Sequence, residues 1–183
     1  MGVMFDIIGS ILVRTAIVLI VLRMNVSLNS MVVESVAHAT IQQSLSVLRE
    51  VMSADFEVAG FNVTPGTAFL MAKPNQMKFS GDLDGDGTPE TIYYYVGPQS
   101  ELSNTVNPND RKLYRQINGG TSLNVANGIT TCVFTYYDQN GIATTTLSSV
   151  KMFTVKMTMQ DGAPVDSLYP STYWEQSFFP PNL

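Results

Sequence analysis

The sequence has one cysteine and one histidine in 183 residues, and it contains no run of lysines or arginines. The single cysteine, Cys132, excludes an intrachain disulfide and therefore a disulfide-stabilised scaffold. With His38 as the only histidine, no His/Cys set has transition-metal spacing, and a catalytic Ser-His-Asp or Cys-His group would have to recruit His38. The net charge of -5, without a basic stripe, predicts no nucleic-acid partner. We therefore expect a protein that is not an enzyme.

Proline is missing between residues 5 and 59, where Gly9 is the only glycine, so the residues that break helices are almost absent. Residues 7–22 are nearly all apolar, and farther along apolar residues recur at three- and four-residue steps, which is the spacing of one helix face. We predict one helix of about 50 residues, roughly 75–80 Å long, that ends at Gly60. The apolar face of its second half comprises Ile41, Leu45, Leu48, Met52, Phe56 and Ala59.

Such a helix is longer than the domain formed by the rest of the chain can cover. We predict an apolar segment for a membrane or a filament core (residues 1–24), an amphipathic continuation of the same helix (25–60) and a globular head (61–183). The apolar run reaches the roughly 20 residues of a bilayer span once its flanking residues are counted.

Two opposite charges, Asp6 and Arg14, interrupt the apolar part of this helix. Arg14 near mid-membrane would cost about 2.5–3.5 kcal/mol. Its side chain either extends to a lipid headgroup or meets a carboxylate when helices pack together. Asp6 lies eight residues away, about 12 Å along the axis, which is too far for direct pairing within one chain. We predict Asp6 and Arg14 as assembly residues that pair between copies displaced along the helix.

After Gly60 the pattern changes to alternation with frequent turn residues, which predicts antiparallel β structure and an α+β fold. Cys132 shares a strand face with Phe134 and Tyr136, and we expect it to be a buried small hydrophobe. Asn140-Gly141 predicts a hairpin turn. We expect the tail from Gly162 onward to be irregular. The predicted strands are residues 67–71, 76–80, 91–96, 112–117, 129–137 and 150–159.

One loop in the head, residues 82–90 with the sequence DLDGDGTPE, has the spacing of a cation site. Its first nine positions match an EF-hand loop, but Tyr93 stands where that loop has its closing glutamate, and the flanks are predicted strands. Ca²⁺ takes six to eight hard oxygen ligands, so we predict a structural Ca²⁺ site of the strand–loop–strand kind. The alternative is an acidic surface turn, because Asp-Gly pairs also favour turns. The predicted ligands are the carboxylates of Asp82, Asp84, Asp86 and Glu90 and the carbonyl of Thr88.

A long helix, apolar and then amphipathic, followed by antiparallel strands resembles the type IV pilins, and above all the minor pilins and type II secretion pseudopilins. The residues that carry the resemblance lie between positions 5 and 159. That family has a glutamate fifth in its mature chain, and Asp6 takes this place if only Met1 is removed. The similar segments are LREVMSADFEVAGF (48–61), ETIYY (90–94), LYR (113–115), ANGI (126–129) and FTY (134–136).

The resemblance implies a structural subunit of an extracellular helical filament. Its N-terminal helices would be bundled in the filament core, its β head would be exposed, and each copy would be inserted in the inner membrane before assembly. Its partners would be other copies of itself or other pilins. The alternative is a minor pilin or pseudopilin that acts as an accessory or tip component of a pilus or secretion machine. A membrane-tethered enzyme is the third class, with His38 in the long helix as its main obstacle.

Overall fold

The computed structural model of the protein describes residues 2–165 and 167–183. One helix, α1, spans Gly2–Glu57 and is 56 residues long. Short 3₁₀ turns lie at Gln99–Leu102 and Leu147–Ser149. The strands in these described ranges are β1 (Phe69–Lys73), β2 (Gln76–Gly81), β3 (Glu90–Val96), β4 (Leu113–Ile117), β5 (Leu123–Ala126), β6 (Ile129–Tyr137), β7 (Met152–Gln160) and β8 (Ser171–Phe178).

The strands form two antiparallel sheets, so the α+β fold is confirmed. The first sheet has the order β1-β2-β3-β4-β5 and the second has the order β6-β7-β8. Neighbours in sequence are neighbours in each sheet, as in a meander. The connection between β2 and β3 carries the acidic loop, since Gly81 at the end of β2 pairs with Glu90 at the start of β3.

The second half of α1 packs on both sheets and completes the core of the head. The whole predicted apolar face from Ile41 to Ala59 is buried. Phe56 is its centre, with ring centroids 4.8 Å from Phe178, 5.0 Å from Phe153 and 5.6 Å from Tyr94. The helix and the head therefore share one hydrophobic core.

Gly60 lies in the turn that follows α1 and makes a close approach that a side chain would prevent. Its φ is +81°, which is left-handed backbone that favours glycine. A Cβ at this position would lie 2.5 Å from the carbonyl oxygen of Asn182, in the C-terminal segment. Its N–H donates to the carbonyl of Ser80 at 2.9 Å, which links the end of the helix to β2.

The prediction that the tail is irregular was wrong, because Ser171–Phe178 forms β8 and pairs with β7 along its whole length. The inward face of β8 carries Thr172, Trp174, Gln176 and Phe178, so only every second inward residue is apolar. A strand with one buried face usually has an apolar residue at every second position, and Thr172 and Gln176 break that pattern. β5 was also missed, since it is short and exposes Leu123 and Asn124 at the sheet edge.

Among the residues that the structure describes, none buries the first part of α1. The first buried residue of the helix is Ile41, and the large apolar side chains before it are exposed. By length and composition, this helix could cross a membrane, either as an anchor or as a signal sequence.

Candidate metal centre and assembly residues

The acidic loop occupies residues 82–89, between β2 and β3, so its flanks are strands as the sequence predicts. Gly85 and Gly87 have φ values of +77° and +90°. These left-handed residues turn the backbone tightly enough for its N–H groups to point back toward the start of the loop. The geometry of the loop therefore depends on glycine at both positions.

Asp82 is the internal anchor of the loop, and it is buried. Its Oδ1 accepts the N–H of Gly85 at 2.8 Å, while its Oδ2 accepts the N–H of Gly87 at 2.9 Å and the side-chain amide of Asn62 at 2.6 Å. Burial by itself would raise the pKa of Asp82, but these hydrogen bonds favour the carboxylate and hold the pKa below its usual value.

Asp84 and Asp86 are exposed and lie beside Asp82. Asp84 Oδ1 accepts the N–H of Asp86 at 3.2 Å, and Asp86 Oδ1 accepts the N–H of Thr88 at 2.7 Å. One carboxylate oxygen from each of the three aspartates lies within 4.8 Å of the others. Oxygens bound to one Ca²⁺ at 2.3–2.6 Å lie at most about 5 Å apart, so this donor set fits that cation in chemistry and size.

Glu90 and Thr88 make hydrogen bonds within the loop and are not part of the cluster formed by the three aspartates. Glu90 Oε2 accepts the N–H of Leu83 at 2.9 Å, which closes the loop across its base. Glu90 is not a member of the cluster formed by the aspartates. Thr88 contributes its N–H to Asp86. Metal ligation by Glu90 and by the Thr88 carbonyl stays a prediction.

Asp6 and Arg14 both lie on the exposed part of α1. Within residues 2–165 and 167–183, the ion pairs are Asp55–Arg115, Lys156–Glu175 and the pair of Glu34 with His38, so neither Asp6 nor Arg14 has a charged partner there. The structure of a single chain does not bring the two residues together, and their pairing between copies stays a prediction.

The sequence analysis missed a polar cluster that joins the helix to the first sheet. Asp55 is buried at the end of α1 and accepts hydrogen bonds from Arg115 on β4 and Tyr94 on β3. Arg115 donates hydrogen bonds from its guanidinium to the Asp55 carboxylate, and these raise the pKa of Arg115. Burial raises the pKa of Tyr94. The sequence does contain an indication of this cluster. Asp55 lies three residues after Met52, on the apolar side of an amphipathic helix, and a carboxylate buried there requires a partner.

The sequence matches no protein-family model, and it matches no curated protein at a significant level. The layout of one long apolar N-terminal helix packed on antiparallel sheets is compatible with pilin-like proteins.

Proposed function

We propose that this protein is the structural subunit of a type IV pilus-like extracellular filament, inserted in the inner membrane before it assembles. The observation that carries the proposal is the length of apolar helix that the head leaves uncovered. α1 is 56 residues long, and its buried side chains begin only at Ile41. Each large apolar side chain that moves from water into an apolar environment contributes about 1.5–3 kcal/mol, so this surface requires a cover outside its own domain.

A bilayer and a bundle of other copies can both provide that cover, and the charges in the helix favour a passage from one to the other. Arg14 has no charged partner among the residues of the chain that the structure describes, and a charge is costly near mid-membrane. Asp6 on a second copy, displaced by about 12 Å along the axis, offers this partner. Release of the subunit from the membrane is thereby coupled to contact with a neighbour.

The displacement between Asp6 and Arg14 also favours an open filament over a closed dimer. Copies related by a parallel two-fold axis have no axial offset, and would leave the two charges about 12 Å apart. A contact with an axial offset is head-to-tail, and its repetition adds copies without closing. At 3.6 residues per turn, the two side chains point about 80° apart, so one helix offers each charge to a different neighbour.

The head would form the outer surface of such a filament, with the acidic loop as its calcium-stabilised hairpin. Three aspartate oxygens within 4.8 Å and the buried, hydrogen-bonded Asp82 support this assignment. Ca²⁺ here would neutralise neighbouring carboxylates and hold the loop between β2 and β3 in one conformation. The ion would have a structural role, because a fully coordinated Ca²⁺ supplies no nucleophile by itself.

The proposal is tested by replacing each charge in cells that assemble the chain. Asp6→Ala and Arg14→Ala should each reduce surface filaments sharply, since removing one partner of a buried pair typically costs about 3–5 kcal/mol. The exchange of Asp6→Arg with Arg14→Asp should recover part of the assembly. Ser10→Ala is the matched control on the same stretch of helix, because its hydroxyl bonds only to the Ile7 carbonyl one turn away.

Electron microscopy of sheared filaments, labelled with an antibody to the head, gives the readout. A label along the whole fibre supports the structural subunit, whereas a few copies at one end support the accessory or tip role. Abundant normal filaments from either single variant would refute the pairing. Absence of the wild-type chain from any filament would refute the proposed function itself.

A further inference from the structure

If α1 spans a bilayer, part of it is covered neither by the head nor by the lipid. A span of about 20 residues that includes Asp6 and Arg14 ends near Arg23, and the head begins to bury the helix at Ile41. Between these points, apolar side chains are 54% to 68% exposed, on a stretch that would stand in water while the subunit is in the membrane. They are Val26, Leu28, Met31, Val32, Val33 and Val36.

Along one face of this stretch, side chains of α1 alone border an open space of about 590 Å³, called the groove below. Its lining includes Leu19, Val26 and Ser30, whose separations of seven and four residues are those of a single helix face. Arg23 lies toward one end of the groove and Glu34 at the other. The two charges are 11 residues apart, which is about three turns, so they share this face at an axial distance of about 16.5 Å.

Arg23 and Glu34 form no strong ion pair with the other residues that the structure describes. Arg23 belongs to none of the ion pairs formed by the residues that the structure describes. Glu34 lies 3.9 Å from His38, and both side chains are well exposed. Such a contact contributes little, so Glu34 remains available to a stronger partner.

We propose that the groove receives the same helix of a second copy, staggered by about 16.5 Å so that Arg23 of one chain faces Glu34 of the other. This inference rests on the proposed filament function. Charge complementarity selects the stagger, because helices in register would place Arg23 against Arg23 and Glu34 against Glu34. The stagger pairs opposite charges and covers Val26 and Met31, the two of these apolar side chains that line the groove between the charges.

The stagger also distinguishes the subunit in the membrane from the subunit in the filament. Copies in a bilayer lie at one depth, because Arg23 closes the apolar run and its charge belongs at the headgroups. At equal depth the staggered contact cannot form, and the in-register contact is repulsive. The groove therefore fills only when one copy has moved outward relative to another. Arg14 lies on nearly the opposite side of α1, so this contact is separate from the Asp6–Arg14 contact.

Disulfide trapping in the full-length chain tests the stagger. Cys132 is buried, and burial raises its pKa to about 12, so introduced cysteines react selectively. Cells that produce a mixture of Leu19→Cys and Ser30→Cys chains should give a disulfide-linked dimer in filaments, because positions 11 residues apart meet at one level. The same mixture in bilayer vesicles should give at least several-fold less. Val21→Cys mixed with Val32→Cys is the matched control, with equal spacing on the opposite face.

In filaments, the inference would be overturned if the disulfide between positions 19 and 30 formed in no higher yield than the control disulfide between positions 21 and 32. It would also be overturned if the main product were a disulfide between position 30 of both chains, which would show that the helices pack in register. Arg23→Glu or Glu34→Arg should lower filament yield at least several-fold, and the two together should restore it. If filaments form but are indifferent to these charges, the groove contact fails while the proposed function stands. If the wild-type chain forms no filaments, both fail.

Discussion

Asp55 and Arg115 form a two-pronged ion pair that joins the end of α1 to the first sheet. Arg115 Nε lies 2.5 Å from Asp55 Oδ2, and Nη2 lies 2.7 Å from Oδ1. The Tyr94 hydroxyl donates to the same Oδ2 at 2.6 Å. The Asp55 side chain is only 3% exposed and that of Arg115 is 14% exposed, so water can replace little of this pairing. The contact fixes the angle and the register between the helix and the head.

Asp55→Ala should destabilise the soluble fragment of residues 25–183 by about 3 kcal/mol, because it leaves the Arg115 guanidinium and the Tyr94 hydroxyl without their acceptor. For a domain of this size, that corresponds to a fall in Tm of roughly 6–12 °C. Thermal unfolding followed by circular dichroism measures it. Glu175→Ala is the control, since it removes the exposed ion pair with Lys156 and should leave Tm nearly unchanged. Equal shifts for the two variants would contradict the prediction.

The fragment of residues 25–183 should fold cooperatively, whereas a fragment of residues 62–183 should not fold. The reason is that the shorter fragment loses the helix side chains that complete the core, including Leu48, Met52 and Phe56, which are at most 1% exposed. Phe56→Ala within the longer fragment should cost about 3–5 kcal/mol. Phe179→Ala is the matched control, since Phe179 is 70% exposed. A sharp melting transition for residues 62–183 would show that the head does not depend on α1.

Ca²⁺ should raise the Tm of the 25–183 fragment relative to a chelator. Binding to the folded state alone stabilises it by about 2.7 kcal/mol at one hundred times Kd. Asp84→Ala should abolish this difference, because it removes one of the three clustered carboxylates. Glu50→Ala removes an exposed carboxylate from α1 and should keep the full Ca²⁺ response. If Ca²⁺ leaves the wild-type Tm unchanged, the loop is an acidic surface turn.

In chelator, Asp82 should make the stability of the head depend on pH at the acid end. The pKa of Asp82 is lower in the folded protein than its ordinary value, so its ionised form favours folding. This stabilisation is present above about pH 4 and is lost as the pH falls through the folded pKa. Asp82→Asn should therefore lower Tm clearly at pH 7, and the gap to the wild type should narrow toward pH 3. A gap of constant size would contradict the assignment.

Much of the architecture could be predicted because it depends on neighbours in sequence. The helix followed from three- and four-residue spacing, and Gly60 marked its end to within three residues, since α1 ends at Glu57. The acidic loop followed from alternate aspartates and two glycines, whose hydrogen bonds span only two to five residues. The inward positions of Cys132, Phe134 and Tyr136 followed from the two-residue period of a strand. All of these signals are local, so they are readable without the fold.

The tertiary structure decided how these parts meet. The division of the strands over two sheets, the recruitment of Ser171–Phe178 as β8 and the Asp55–Arg115 pair, 60 residues apart in sequence, each depend on surfaces that become neighbours only after the chain has folded. β8 was hidden because Thr172 and Gln176 interrupt its apolar alternation, and its strand ladder comes from pairing with β7. Short-range periodicity specifies an element and its inward face, but long-range packing selects the element's partner, because that choice depends on the combined burial of residues distant in sequence.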